Sequence, residues 1–282
     1  MEYCRYGVPD HAYCDERQLA WEYRVNLSFA VTRNNEIVGI CPMILDGDSV
    51  SYQGEACPQP LYDNDSDRDE LLQHLRSAID EYKVDHYAFI GTIDAKDGVG
   101  FMSRLINAFQ TRVIDLQPLK EIESISRWLN VRKSYKSLIN KGQKTHRIER
   151  STDPRDVGIL HALHKKSAGK ETRHQRTWDL MAAWVQSGYA YLCTAWNSAG
   201  ICDGAVFIYS YKGHQYYGHA ATTVKDINHA LLWKALSTST ADTFEMGWQG
   251  HYTNGKEADI EFFRRGFGGK DHPLTISQFN AS

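Results

Sequence analysis

The stretch that decides the fold runs from Tyr189 to Ala220 and reads YAYLCTAWNSAGICDGAVFIYSYKGHQYYGHA. Two apolar runs, 189–196 and 201–211, flank the turn sequence NSAG at 197–200, and a third run follows at 215–220. Apolar runs on either side of an Asn- and Gly-containing turn are typical of a β-hairpin. The stretch therefore predicts three consecutive strands that form an antiparallel meander.

Helical and strand patterns alternate on both sides of this meander. In the second half, helices are predicted at about 154–168, 177–186, 228–240 and 258–267, with short strands at 244–247 and 274–279. In the first half, a hairpin is predicted at 26–45, helices at about 71–79 and 101–109, and strands at 87–91 and 113–116. This order predicts an α/β (α+β) fold with mixed, mostly antiparallel sheets flanked by helices.

The composition excludes several classes of protein. The chain has 282 residues, a formal net charge of −3 and 42% hydrophobic residues, so it is neither a disordered chain nor a basic nucleic-acid coat. Its six cysteines form no C-x-x-C pair and no cluster with zinc-ligand spacing, so no metal is expected. The polar N-terminus and the lack of an apolar run of about 20 residues predict a cytoplasmic protein without a membrane span.

One segment is strongly basic. Residues 132–150 carry seven Lys or Arg and one acid, a net charge of +6 that leaves −9 for the remainder. Val131, Tyr135 and Ile139 recur at helical spacing, so we expect a helix with an apolar face inward and a basic face outward. The basic face is interpreted either as a solvated surface or as a site for the phosphates of a nucleotide, a coenzyme or tRNA.

Two further segments carry candidate functional side chains. The sequence KETRHQRTW at 170–178 places Arg173 beside Trp178, which suits an anionic or sugar-like ligand, although Trp178 is equally suited to packing at a helix start. In the strand sequence YYGHA, alternation puts Tyr216 on one face and Tyr217 on the other, with His219 beside Tyr217. A phenol and an imidazole on one face are able to move protons, whereas a lone histidine on a strand is usually structural.

The sequence contains no P-loop, no G-x-G-x-x-G after a strand and no G-x-S-x-G elbow. Instead, TRHQRTW, then YYGHAAT, then FEMGW and EFFRRGFGG, together resemble the Fem-type (FemAB-like) branch of the GNAT acyltransferases. The basic sequence RKSYKSLINKGQK resembles the Arg/Lys-rich helix of that group. The resemblance covers roughly residues 131–269, and the first half only in outline.

The resemblance implies two tandem GNAT-like domains, expected at 1–130 and 151–282 and linked by the basic helix at 131–150. It implies transfer of an aminoacyl group from aminoacyl-tRNA, or of an acetyl or other acyl group from acyl-CoA, to the amine of an amino sugar, a cell-envelope precursor or a small natural product. No cofactor is expected to be tightly bound. The expected partners are a small-molecule acceptor and, if aminoacyl-tRNA is the donor, tRNA.

The same resemblance implies roles for residues. Glu245 or His219 would accept the amine proton, and Tyr217 would protonate the leaving group. The remaining candidates would bind substrate: Arg132, Lys133, Lys136, Arg173, Trp178, Tyr216, Lys256 and Arg264. The usual GNAT pyrophosphate loop is absent, since the sequence AATTVKDINH at 220–229 lacks glycine. Two alternatives remain: an inactive GNAT-like scaffold that binds a nucleotide sugar or a partner protein, and an RNA-binding module that uses the basic helix.

Overall fold

The computed structural model describes residues 24–46, 49–50, 57–58, 60–84, 86–91, 102–119, 130–171, 175–249 and 254–280. The chain divides into two compact units, one formed by 1–109 with 273–282 and the other by 110–272. The expected domains at 1–130 and 151–282 stay predictions. The basic helix lies within the second unit, where Gly142 packs directly on a neighbouring helix.

The first unit consists of short strands around one long helix. Its helix is α1 (Asp65–Glu81), which begins after the N-cap Asn64 and buries Leu71, Leu72, Leu75 and Ile79. Its strands are β1 (Arg24–Asn26), β2 (Phe29–Arg33), β3 (Glu36–Cys41), β4 (Ile44–Asp46), β5 (Ser49–Val50), β6 (Cys57–Pro58), β7 (Leu61–Tyr62) and β8 (His86–Gly91). The predicted hairpin is confirmed as β2–β3, and Asn34 and Asn35 adopt the positive φ that its tight turn requires.

Two long strands carry residues of both units, β9 (Met102–Asp115) and β15 (Lys270–Asn280). In the first unit, Thr275–Asn280 of β15 pairs antiparallel with β8. The helix predicted at 101–109 is wrong, because this segment forms most of β9. Its apolar spacing is compatible with either structure, and the segment is continuous with the predicted strand at 113–116. Sheet pairing therefore decides the outcome.

The second unit contains the predicted meander and five helices among the residues described. Its helices are α2 (Lys133–Thr145), α3 (Asp156–Ala168), α4 (Gln175–Gln186), α5 (Ile227–Ser237) and α6 (Gly255–Arg265). Its remaining strands are β10 (Arg147–Ser151), β11 (Ala190–Trp196), β12 (Cys202–Tyr211), β13 (His214–Thr222) and β14 (Thr243–Gln249). The sheet has the order β9-β14-β13-β12-β11-β10, in which β13 and β14 are parallel and the other neighbours antiparallel. The predicted mixed, mostly antiparallel fold is thus confirmed.

The core of the second unit joins the sheet to α2, α5 and α6. It includes Tyr135, Ile139, Leu231 and Phe267, all buried. The expected amphipathic pattern of α2 is confirmed, since Tyr135, Ile139 and Gly142 are buried while Lys133, Lys141 and Lys144 are exposed. Within the described parts of the chain, no helix is long and apolar enough to cross a membrane.

The C-terminal end of α2 is held by Asp203 at the start of β12. The Asp203 carboxylate accepts hydrogen bonds from Asn197 Nδ2 at 2.8 Å and from Thr223 Oγ1 at 3.3 Å, and lies 3.2 Å from His146 Nε2. Burial alone would raise the pKa of Asp203, but the hydrogen bonds from Asn197, His146 and Thr223 outweigh it and lower the pKa. The contact therefore stabilises the fold only when Asp203 is ionised.

We expect Asp203→Asn to lower the free energy of unfolding at pH 7 by about 1–2 kcal/mol, because it removes charged hydrogen bonds in a half-buried site. A carboxyl with a lowered pKa contributes stability above its unfolded pKa of about 4, and this contribution disappears as the pH falls through the folded pKa. Urea unfolding of both proteins at several pH values should show the difference shrinking in acid. A difference that stays constant or widens in acid would contradict the assignment.

Candidate functional site

The sheet of the second unit opens between its two parallel strands. Strands β13 and β14 form three residue pairs, His214 with Thr243, Gln215 with Phe244 and Tyr216 with Glu245. β13 continues to Thr222 and β14 to Gln249 without further pairs between them among the described residues. We call this gap the β13–β14 opening.

Gly247 lies on β14 just beyond the last pair, and two polar side chains converge on it. A Cβ atom built on Gly247 would lie 3.2 Å from the hydroxyl oxygen of Tyr216 and 3.2 Å from Nη2 of Arg264. Gly247 has φ +86°, a conformation that favours glycine, and follows a bulge in the pairing of β14 with β9. The missing side chain therefore leaves room for a phenol and a guanidinium at the mouth of the opening.

A second phenol lies on the opposite face of β13. Tyr217 is buried, and its hydroxyl oxygen accepts a hydrogen bond of 2.9 Å from Nδ2 of Asn228 in the first turn of α5. Burial raises the pKa of Tyr217, while the bond from Asn228 and the charge of Arg264 act in the opposite direction. Tyr217 therefore remains protonated at neutral pH and retains its own proton for donation.

The expectation that His219 lies beside Tyr217 is wrong. The pairing of β12 with β13 shifts between Phe207 and Ile208, so His219 lies opposite Phe207 and Tyr217 opposite Ile208. His219 Nε2 lies 3.2 Å from the hydroxyl oxygen of Tyr209. Tyr209 is paired with Tyr216 across the two strands. A β-bulge adds one residue to a strand and thereby reverses the alternation beyond it. His219 consequently shares the face of Tyr216.

Gly218 is the residue that makes the bulge possible. A Cβ atom built on Gly218 would lie 2.5 Å from Cε2 of Tyr209, closer than side chains approach one another. Alternation alone does not reveal the bulge at Gly218, because the sequence YYGHA fits a regular strand. The bulge was therefore the step that the sequence prediction missed.

Glu245 lies at the last residue pair below the opening. Its side chain is fully buried, with His214 Nε2 at 3.2 Å and a hydrogen bond donated by the Thr111 hydroxyl. His214 also contacts the Thr243 hydroxyl through Nδ1 at 2.7 Å. These contacts hold the three strands together at the base of the opening. They orient Glu245 within the sheet, and its expected role as proton acceptor stays a prediction.

The remaining predicted residues lie elsewhere on the second unit. Arg132 precedes α2 and stacks on Phe262, Lys133 is exposed in the first turn of α2, and Lys136 is half-buried one turn later. Lys256 is exposed in the first turn of α6. The structure thus groups Tyr216, Arg264 and Glu245 around the opening, buries Tyr217 on the opposite face of β13, and leaves these cations outside that group.

Trp178 and Arg173 were expected to grip a ligand together. Trp178 is only 3% exposed and stacks on His161 with ring centroids 4.5 Å apart, which favours packing between α3 and α4. Arg173 falls outside the described residues. Asn228 in the first turn of α5 and Gly247 on β14 were not predicted, since neither carries a sequence signal that indicates a functional site. Over the described residues, no group of three or more His, Cys, Asp or Glu side chains is arranged to hold a metal ion.

Solved structures share this architecture along most of the chain. FemX matches with a TM-score of 0.65 and 11% identity over 96% of this chain and 91% of its own. The chain is similar in fold to FemX. L-PGS from Bacillus licheniformis matches with a TM-score of 0.64 and 12% identity, over 90% of this chain and 84% of its own. A protein of unknown function from Bacteroides thetaiotaomicron VPI-5482 matches with a TM-score of 0.69 and 7% identity, over 96% and 90%.

These matches confirm, at the level of the fold, the predicted resemblance to the Fem-type branch. The C-terminal domain of a putative lysylphosphatidylglycerol synthetase from Agrobacterium fabrum shares the fold as well, with a TM-score of 0.62 and 9% identity over 97% of this chain and 92% of its own. No family model and no curated protein matches the sequence. The FemX-like fold is therefore recognised through its three-dimensional arrangement.

Proposed function

We propose that the protein is an acyltransferase that moves an aminoacyl or acyl group from an activated ester or thioester to an amine. The observation that carries the proposal is the β13–β14 opening, at which the Tyr216 hydroxyl and the Arg264 guanidinium converge on Gly247. Similarity in fold to FemX and to the C-terminal domain of a putative lysylphosphatidylglycerol synthetase, whose name describes an aminoacyl product, supports aminoacyl transfer. The amine as acceptor follows from the sequence resemblance.

The proposed reaction needs donors for a developing oxyanion, a proton for the leaving group and an acceptor for the amine proton. A neutral amine attacks the acyl carbonyl, and the charge that develops on the carbonyl oxygen needs hydrogen-bond donors. Arg264 and Tyr216 are the candidate donors. The bond from the carbonyl carbon to the leaving oxygen or sulfur then breaks, and the leaving group takes a proton. Tyr217, whose pKa is raised by burial, is the candidate donor of that proton.

The amine proton must leave in the same reaction. Glu245 and His219 lie on the face of Tyr216, and we retain both as candidate acceptors. Because Glu245 is already bound by Thr111 and His214, any transfer to it would pass through a water molecule or through His214. Unchanged turnover in Glu245→Gln would exclude Glu245, and the same result in His219→Gln would exclude His219.

The exposed basic face of α2 is the proposed site for phosphates of the donor. Lys133, Lys141 and Lys144 are exposed on α2, and no acid occurs between residues 131 and 148. Phosphate contacts made by such side chains weaken steeply with salt. Donor binding is therefore expected to fall as salt rises, whereas a salt-independent affinity would place the donor elsewhere.

The experiment that tests the function is product identification by mass spectrometry. The protein is incubated with a mixture of charged tRNAs, or with acetyl-CoA and longer acyl-CoAs, and with a panel of amino sugars and cell-envelope precursors. A product whose mass increases by one acyl or aminoacyl group identifies donor and acceptor together. Tight binding of a donor or acceptor without any product would instead support the inactive scaffold.

A further inference from the structure

An exposed aromatic ring and an arginine form a flat surface beside the basic helix. Phe262 is 60% exposed, the highest value among the large hydrophobic side chains that the structure describes. The guanidinium carbon of Arg132 lies 3.7 Å from the centroid of the Phe262 ring, which is the distance of a stacked cation–π pair. We call this pair the Arg132–Phe262 platform. A ligand that covered the Phe262 ring would remove this apolar surface from water, which favours binding.

The platform is held in place by hydrogen bonds between α2 and α6. The backbone N–H of Arg132 donates to the carbonyl of Gly266 at 2.8 Å, and the Tyr135 hydroxyl donates to the carbonyl of Phe262 at 3.3 Å. Arg132 Nη1 also reaches the Tyr135 hydroxyl at 3.4 Å. Because both residues are fixed through the buried Tyr135, the surface is formed before any ligand arrives, which reduces the entropic cost of binding.

The charges around the platform indicate the kind of ligand. Lys133 follows Arg132 directly, and Lys136 lies one turn further along α2. Glu261 directly precedes Phe262 on α6, but it is buried and paired with Arg265 at 2.6 Å. Asp259 lies one turn before Phe262, and Lys256 lies one turn before Asp259. An aromatic face suits the face of a nucleobase, and a guanidinium with neighbouring ammonium groups suits its phosphate.

We propose that the Arg132–Phe262 platform binds an unpaired nucleotide, with the base stacked on the platform and the phosphate beside Arg132 and Lys133. Either donor class contains such a nucleotide, as the single-stranded end of an RNA or as the adenosine phosphate of coenzyme A. The inference rests on the proposed function in one respect, namely that the nucleotide belongs to the acyl donor. Phe262 is two residues from Arg264, so α6 connects the platform to the residue that faces the β13–β14 opening.

The test measures binding, which requires no turnover. Fluorescence anisotropy of a labelled single-stranded RNA hexamer is compared between the wild-type protein, Phe262→Leu and Phe262→Trp. Losing a stacked base is expected to weaken binding about 5- to 100-fold in Phe262→Leu, whereas Phe262→Trp retains it. Tyr189→Leu is the matched control, since Tyr189 is another exposed aromatic residue of this unit, 41% exposed and outside the platform.

Two further arms identify the source of the nucleotide. The same hexamer in a duplex, whose bases are not free to stack, should bind the wild-type protein and Phe262→Leu equally. Coenzyme A is titrated in parallel by calorimetry. If Phe262→Leu weakens the binding of coenzyme A but not that of single-stranded RNA, the platform is assigned to coenzyme A. The proposal would be overturned if Phe262→Leu bound both single-stranded RNA and coenzyme A as tightly as the wild-type protein does. It would also be overturned if the wild-type protein bound neither ligand.

Failure of the proposed function gives a different result. A protein that transfers no acyl group but loses RNA or coenzyme A affinity in Phe262→Leu would keep the platform and lose the acyltransferase assignment. A protein that transfers an acyl group with unchanged donor KM in Phe262→Leu would keep the reaction and lose the platform.

Discussion

Replacing Arg264 by methionine is expected to lower kcat for acyl transfer by about 100- to 1,000-fold, the usual effect of removing one donor to a developing oxyanion. Methionine keeps much of the length and apolar contact of the arginine stem but loses its charge and its N–H groups. Since these groups act on charge that develops only in the transition state, KM should change little. Initial rates with the donor and acceptor found by mass spectrometry measure the effect.

The neighbouring arginine provides a matched control. Arg265 lies next to Arg264 on α6, is partly exposed and pairs with Glu261 through Nη2 at 2.6 Å. Arg265→Met removes the same charge from the same helix without altering the residues at Gly247, so we expect its kcat to stay within a few-fold of the wild-type value. Comparable losses in both variants would show that the net charge of α6 matters and that Arg264 has no specific role at the opening.

The sequence predicts an element when local interactions determine its structure, and it fails when pairing with distant strands does. The basic helix was predictable, because Tyr135, Leu138 and Ile139 recur at the i, i+3, i+4 spacing of one helix face. The second-half meander was predictable as well, since its apolar runs and its NSAG turn are local signals. Strand β9 was not fully predictable, because its 14 residues are stabilised by pairing with strands distant in the sequence.

The sequence did not predict which residues of β13 share a face, again because an adjacent strand determines it. Regular alternation would place His219 with Tyr217, but the single extra residue at Gly218 places it with Tyr216. Whether a glycine forms a bulge depends on the ring of Tyr209, which packs on it from the adjacent strand. The convergence of Tyr216 and Arg264 on Gly247 likewise joins three separate elements. Candidate residues were thus identifiable by type, while their grouping required the fold.

The largest expected effect on stability comes from Gly266, the residue that follows α6. A Cβ atom built on Gly266 would lie 1.9 Å from Cε2 of Tyr135, far inside contact distance, although its backbone conformation at φ −66° suits any residue. Tyr135 cannot move aside easily, because its ring packs against His229 at 4.4 Å and Phe267 at 5.3 Å between centroids. The glycine therefore permits the close approach of α6 to α2.

We expect Gly266→Ala to destabilise the second unit by about 3 kcal/mol or more, combining the strain of overpacking with partial loss of the Tyr135 contacts. In a unit of this size such a change corresponds to a fall in Tm of roughly 6–12 °C, measurable by differential scanning calorimetry. Gly158→Ala is the control, since Gly158 lies inside α3 with no atom within 4 Å of the added Cβ. It should stabilise the protein by up to about 1 kcal/mol, because alanine favours the helix.

A double-mutant cycle separates the steric clash from other effects of Gly266→Ala. Tyr135→Leu removes the ring that the new methyl group would strike, at the cost of its own buried contacts. If the clash is the cause, the double variant Tyr135→Leu, Gly266→Ala should be clearly more stable than the sum of the single changes predicts, since the methyl group then enters vacated space. Strict additivity would instead attribute the loss to the backbone around Gly266. Because Tyr135 also fixes Arg132 and Phe262, Tyr135→Leu should in addition weaken nucleotide binding at the Arg132–Phe262 platform, which connects the packing of α2 on α6 to its proposed use.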